Sequence, residues 1–277
     1  MKLCNILVDG KNHLAVETER GLVDVTAAGC GLTMDALIAG ADKAEVLKLA
    51  ADETLPVVAA PVYGNVVDNI GKLVCVGLNY IDHAKGASMK IPEYPILFSK
   101  FANSLVPTDT DVLLPAWETS YDYEAELVLV MGKTAWDISE EEAMDYVFGY
   151  TCGNDLSCRQ AQMRSGQWLI GKALPGFGPC GPCVVTADEY DPNGKAIKSF
   201  VNGEMKQNGN TADMIFNCAK IVSYASKYVQ LEPGDLIFTG TPSGVELEKG
   251  ENACWLKPGD EVIVEIEGIG TLKNKMI

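Results

Sequence analysis

Histidine is nearly absent from this 277-residue chain, which carries only His13 and His83. No His pair or second Cys pair is available to complete a structural zinc site. Also missing is any apolar run near the ~20 residues a membrane helix requires, so a membrane protein is not expected. Basic residues are few, 22 Lys and Arg against 38 Asp and Glu, for a formal net charge of −16. They are dispersed, and a field of that sign repels polyanions, which argues against nucleic acid as a partner. The same field disfavours an anionic small substrate unless the site carries its own cations. The first residues, MKLCNILVDGKNHLAVETERG, place one Lys before a short apolar run cut by Asp9-Gly10. They lack the regions of a secretory signal, so the expected compartment is the cytoplasm. Nine cysteines, an odd and scattered set, do not form a disulfide framework, and reduced thiols are expected.

Against that background Cys180-Gly-Pro-Cys183 stands out, because it has the C-x-x-C form of a thiol-disulfide oxidoreductase. A redox site needs a helix starting at the motif, where the helix N-terminus lowers the thiol pKa. The motif runs instead into Cys183-Val-Val-Thr186, a β-branched stretch that predicts a strand. Cys183 is therefore expected to be a small buried hydrophobe, with both thiols dispensable for catalysis. Thr239-Gly-Thr-Pro-Ser-Gly244 is Gly-rich but lacks the G-x-x-x-x-G-K-[ST] pattern of a phosphate loop.

Residues 1 to about 28 predict a small β meander, and two helical pieces come after it, from Thr33 and after Gly40. Pro56, Pro61, Gly64 and Asn65 give 55–71 the character of a linker, so a boundary is placed at residue 68, with a small domain over 1–68 and the main one over 69–277. Strands dominate from Lys72 onward. The capping box Ser139-Glu-Glu-Glu142 predicts a helix toward Val147, and Thr211 to Tyr228 carries the other long helical pattern.

The most informative strand is Tyr121 to Met131. Alternation puts Asp122, Glu124, Glu126, Val128 and Val130 on one face and Tyr123, Ala125, Leu127 and Leu129 on the other. The acidic face turns apolar at Val128, which predicts a strand covered on both faces with its acids at a pocket mouth. Paired acids held there repel one another unless a cation compensates. Asp155, in Gly153-Asn-Asp155, is a third acid placed to return beside the strand. Three carboxylates with no His or Cys pair suit a hard ion such as Mg²⁺. On spacing alone, an E-x-E pair is equally an ordinary solvated strand.

Several segments taken together resemble the fumarylacetoacetate hydrolase family: Gly77-Leu-Asn-Tyr-Ile-Asp-His83, Ile96-Leu-Phe-Ser-Lys100, Asp122-Tyr-Glu-Ala-Glu126, Gly153-Asn-Asp155, Lys172, Val201-Asn-Gly-Glu204, Gly209 to Phe216 and Thr239 to Gly244. The resemblance runs over residues 70 to 270. It implies a β-rich α+β fold with a rolled, partly barrel-like mixed sheet, a small N-terminal α+β domain, a homodimer and a Mg²⁺ or Mn²⁺ cofactor. It implies Glu124, Glu126 and Asp155 as metal ligands, and His83 and Lys172 as catalytic residues. It further implies Lys100, Arg159, Gln162 and Thr241 as substrate-binding residues. Members act on 2-oxo acids and acylpyruvates through an enolate, as C–C hydrolases, decarboxylases or tautomerases. One departure concerns the base: relatives pair this His with a Glu three residues later, where this chain has Gly86. The resemblance thus implies C–C hydrolysis, or decarboxylation or keto-enol isomerisation if Gly86 disables the pair. A non-catalytic binding protein that keeps the metal site is the remaining alternative.

Overall fold

β-Branched and aliphatic runs bounded by Gly, Pro, Asn and Asp turns give this chain mostly strands, and the computed structural model, which describes all 277 residues, assembles them into open mixed sheets without a closed barrel. The largest sheet runs, in spatial order, through strands Val57–Val58, Gly21–Asp24, Lys11–Thr18, Lys2–Val8, Gly178–Thr186, Val147–Asn154, Ala125–Met131, Leu236–Phe238, Leu73–Gly77 and Ile96–Lys100. Neighbours along this path are antiparallel except Leu236–Phe238 beside Leu73–Gly77, and an eleventh strand off the path, Leu105–Val106, pairs in parallel with Gly178–Thr186. A five-stranded sheet is built on Ala196–Val201, Glu204–Asn210, Glu261–Ile266, Gly270–Met276 and Asp111–Val112. The expected β-rich α+β fold is what forms, with the N-terminal meander joined to the rest by antiparallel pairing of Leu3 with Val184.

Strand Ala125–Met131 lies in the middle and is buried throughout. Ala125, Leu127, Leu129 and Met131 enter one apolar core, and Val128 and Val130 enter another on the opposite face. A strand covered on both faces has no solvent for its polar groups, so the acids at its N-terminal end must find partners in the protein.

Three expectations are corrected. The Ser139–Glu142 capping bonds form, with Ser139 Oγ 2.8 Å from a Glu142 carboxylate oxygen. Only a single 3-10 turn over Ala143–Tyr146 comes after them, because Val147-Phe-Gly-Tyr-Thr151 favours a strand and takes the place beside Ala125–Met131. The second long helix covers only Cys218–Ser226, after a strand over Glu204–Asn210 and a 3-10 turn over Thr211–Asp213. Finally, the strand expected from Cys183 begins five residues earlier, so that Pro179 to Cys183 lies inside strand Gly178–Thr186. Cys180 and Cys183 enter different cores, one on each face, and all nine cysteines are unpaired. A Cys180→Ala, Cys183→Ala double variant is expected to keep its turnover and lose about 1–3 kcal/mol of stability. Assay and thermal melting check this; a folded variant without turnover would contradict it.

Candidate active site

The acids are brought together by strand register. Ala125 pairs with Asn154 and Glu126 with Gly153, so the chain leaving Asn154 sets Asp155 beside Glu124. The Asp155 N–H donates to the Glu124 carbonyl at 2.9 Å, and the Glu124 N–H donates to the Asn154 side chain at 3.0 Å. Carboxylate oxygens of Glu124, Glu126 and Asp155 lie within 4.8 Å of one another, all three residues buried. No helix of the chain is long and apolar enough to cross a membrane.

Cations surround the cluster. Lys172 Nζ lies 2.7 Å from Glu124 Oε2 and 2.8 Å from Asp155 Oδ2. Arg159 contacts Glu124 through Nη2 at 2.6 Å and Asp122 through Nε at 2.8 Å, and its Nη1 donates to Gln162 at 3.0 Å. Burial alone would raise the Glu124 carboxyl, but Lys172 and Arg159 outweigh it and hold it well below the usual carboxylate range. Burial would lower the Lys172 ammonium, but Asp155 and Glu124 raise it, so it stays charged.

Glu126 has no such partner. Its Oε2 accepts one hydrogen bond, from the Gly240 N–H at 2.8 Å. Burial, Asp155 and Glu124 together push its carboxyl well above the ordinary value. Four buried carboxylates (Asp122, Glu124, Glu126, Asp155) thus face three cations (Arg159, Lys172, Lys100). A hard divalent ion is what this donor set lacks, and oxygen ligands of this kind fit Mg²⁺ or Mn²⁺. The raised Glu126 carboxyl costs the ion-free protein stability as pH rises from the unfolded value, about 4.3, through the folded one. Binding of Mn²⁺ is accordingly expected to release up to about one proton at neutral pH and to tighten with pH. Calorimetry in two buffers of different ionisation heat measures this; identical heats would contradict it.

The remaining expected residues fall at different depths. Thr241 lines the pocket, its hydroxyl donating to the Ala125 carbonyl and accepting from Gln207, both at 2.8 Å. The turn before it needs Gly240, whose φ is +95° and where a Cβ would stand 2.6 Å from Asn79 Cβ. Arg159, Gln162 and Lys172 also line the pocket. Lys100 stands behind Asp155 instead. Its Nζ contacts Asp155 Oδ1 at 2.6 Å and donates to the carbonyls of Leu156, Lys172 and Phe177 at 3.0, 2.5 and 2.6 Å. Every proton it has is used in holding the acid and the Lys172 segment in place.

His83 sits on the helix Ile81–Gly86, is buried and faces the same pocket. Its Nδ1 lies 2.6 Å from Glu248 Oε1, in a 3-10 segment 165 residues away. Gly86 is what admits this carboxylate: a Cβ at position 86 would stand 2.7 Å from Glu248 Cδ and 2.8 Å from its Cγ. The glycine that suggested a missing acid makes room for one from another part of the chain. The second Glu248 oxygen accepts from the Gly244 N–H at 2.9 Å, and the same segment is tied down where Glu246 and Leu247 donate to Asp122 at 2.9 and 3.0 Å. Sequence reasoning missed Glu248 as His83's partner and Asp122 as Arg159's; the only local signal for Asp122 was its place on the acidic face of its strand.

Comparison with known proteins gives the family of the chain. The family model "Fumarylacetoacetate (FAA) hydrolase C-terminal" matches residues 72–277. A "2,4-didehydro-3-deoxy-L-rhamnonate hydrolase" of Sphingomonas is 41% identical over 282 residues, covering 100% of this chain and 96% of that one. "Oxaloacetate tautomerase fahd2, mitochondrial" of Xenopus laevis is 41% identical over 214 residues, 76% of this chain and 67% of that one. Among solved structures, fumarylpyruvate hydrolase from Pseudomonas aeruginosa in complex with Mn²⁺ and pyruvate superposes with a TM-score of 0.69 at 33% identity, covering 79% of this chain and 92% of that one. A buried carboxylate triad, its lysine and arginine, and a histidine on a helix above them are thus carried on a chain that is an enzyme of the fumarylacetoacetate hydrolase family.

Proposed function

We propose that the protein is a Mg²⁺- or Mn²⁺-dependent hydrolase that cleaves a C–C bond of an acylpyruvate or related 2-oxo acid. The observation that carries this is the His83–Glu248 pair facing the same pocket as the Glu124, Glu126 and Asp155 cluster. Those three carboxylates would hold the ion, which when bound acts as a Lewis acid for the enolate. Lys172 and Arg159 match the charge of the carboxylates around the site, which would otherwise repel an anionic substrate, and Gln162 and the Thr241 loop orient it. Glu248 accepts from His83 Nδ1–H, which leaves Nε2 as the base. His83 Nε2 takes a proton from water as the oxygen adds to the acyl carbonyl. The C–C bond then breaks with its electron pair passing to the pyruvate enolate, and the proton returns to carbon to give pyruvate and a carboxylic acid.

The full-length hydrolase relative supports this reading, and the oxaloacetate tautomerase relative supports a second one, keto-enol tautomerisation or decarboxylation of oxaloacetate on the same residues. Incubation with Mn²⁺ and a panel of acylpyruvates and oxaloacetate, with products identified, separates them. Hydrolysis gives pyruvate plus an acid, decarboxylation gives carbon dioxide, and tautomerisation changes only the keto-enol ratio; no change in any substrate would overturn all three. The catalytic portion is placed at 69–277, which the family match from residue 72 supports. A cytoplasmic setting is part of the proposal, supported by nine unpaired cysteines. So is a homodimer, supported by Phe101 and Ile170, 54% and 55% exposed near the edge strand Ile96–Lys100.

A further inference from the structure

Beside its polar residues the pocket has an apolar wall, whose largest member is held in place by a glycine. Trp168 lies against Gly77: a Cβ there would stand 2.2 Å from the indole Cζ3 and 2.8 Å from Cη2, so any larger residue would expel the ring. Phe98 meets the indole edge-on, ring centroids 5.4 Å apart. Met89, just past the helix Ile81–Gly86, Met163 and Leu247 belong to the same wall. Three side chains able to carry positive charge line the pocket, and each is committed: Arg159 to Asp122 and Glu124, Lys172 to Glu124 and Asp155, His83 to Glu248. Arg164, adjacent to Met163, turns to Glu118 at 2.5 Å, and Lys85 of the helix Ile81–Gly86 faces Asp82 on the exposed outer surface at 3.8 Å.

We infer that this wall receives the acyl tail of the substrate and selects uncharged tails over carboxylate-terminated ones, with Trp168 setting the choice. The inference rests on the function proposed above and names its substrate class. A carboxylate moved against Trp168, Met163 and Leu247 gives up part of its hydration and meets no unpaired cation among the side chains that line the pocket, since Lys90, beside Met89, is exposed and does not line it, in a protein whose net charge already repels it. An uncharged alkyl or hydroxylated tail meets no such penalty, and its carbons gain contact with the indole. Oxaloacetate is outside the rule, because its second carboxylate lies next to the reacting bond and does not extend to the wall.

The test uses the full-length protein with Mn²⁺ and 2,4-dioxo acids of matched length ending in methyl or carboxylate. Loss of enol absorbance gives kcat/KM, and the tryptophan fluorescence quenched on binding, compared with Trp168→Leu, gives affinity. The wild type is expected to prefer the methyl-ended acid by about tenfold or more. Trp168→Ala should shrink that ratio, mainly by raising KM for the methyl-ended substrate, while Trp168→Leu, which keeps the wall apolar, preserves it. Met163→Lys should raise kcat/KM for the carboxylate-ended acid. Equal or better use of carboxylate-ended acids by the wild type, or a ratio unmoved in Trp168→Ala, would overturn the inference alone. Absence of turnover on both acids and on oxaloacetate would overturn the proposed function itself.

Discussion

Replacing His83 by alanine is expected to lower kcat on an acylpyruvate by roughly 10²–10⁴-fold, the range for loss of a general base, with Mn²⁺ affinity unchanged. Glu248→Gln should lower kcat by about tenfold or more with little change in KM, because it removes the acceptor that fixes the imidazole tautomer without touching substrate. Gly86→Glu is the informative companion. If Gly86 were simply a lost partner, restoring Glu there would raise hydrolysis. The packing predicts a fall, since the new side chain starts 2.7 Å from Glu248 Cδ and displaces it or the helix that carries His83. Combining Gly86→Glu with Glu248→Ala clears the space and should recover more activity than Glu248→Ala alone. A gain in the single Gly86→Glu variant would mean that Glu248 is not the partner. Steady-state kinetics on the five variants decide the matter.

The second large effect is on stability. Lys172 is 2% exposed and bridges Glu124 and Asp155. Lys172→Met strips a cation from two buried carboxylates, and breaking such a pair from one side costs about 3–5 kcal/mol. In chelator the variant should melt on the order of 10 °C below wild type. The loss should deepen as pH rises, because carboxylates left without a cation are buried at less cost when protonated. Excess Mn²⁺ should restore much of the melting temperature, by supplying positive charge to the same oxygens, while turnover stays low. A variant as stable as wild type in chelator would show that the Lys172 contacts contribute little. Differential scanning calorimetry with and without Mn²⁺ is the measurement.

What was legible in the sequence was legible for local reasons. Period-two alternation ran through Glu126 into Val128 and Val130, and a strand whose acidic face turns apolar has to be covered on both sides; the structure covers it, although the single strand expected from Tyr121 is broken at Tyr123–Glu124 into Tyr121–Asp122 and Ala125–Met131. Cys183-Val-Val-Thr186 excluded a redox helix on β-propensity, and the strand is there. Local signals also misled. The Ser139–Glu142 box forms its bonds, yet the helix they announce stops after one 3-10 turn, because Val147 to Asn154 is needed beside the central strand. Sheet pairing overrode an end signal that involves only four residues. The Glu248 partner of His83 was out of reach for a different reason. No pattern near residue 83 or 86 points 165 positions downstream, and the missing Cβ of Gly86 has meaning only once the 3-10 segment is folded over it. Lys100 could be recognised as part of the site, but its placement behind Asp155 depends on three carbonyls from Leu156, Lys172 and Phe177 that only the tertiary fold supplies.

On the proposed function, buried carboxylates and not thiols carry the chemistry, and they would do so by holding a divalent ion in the pocket that His83 faces. The most direct test is the rate of acetylpyruvate enol loss measured against Mn²⁺ concentration after exhaustive chelation, for wild type and for Glu126→Gln, whose carboxylate lacks a cation among the protein's own side chains. Wild type should be inactive in chelator and recover saturably with Mn²⁺, and Glu126→Gln should stay folded and need far more Mn²⁺ for a small fraction of that rate. Full wild-type turnover in chelator, or an unchanged Mn²⁺ dependence in Glu126→Gln, would contradict the account.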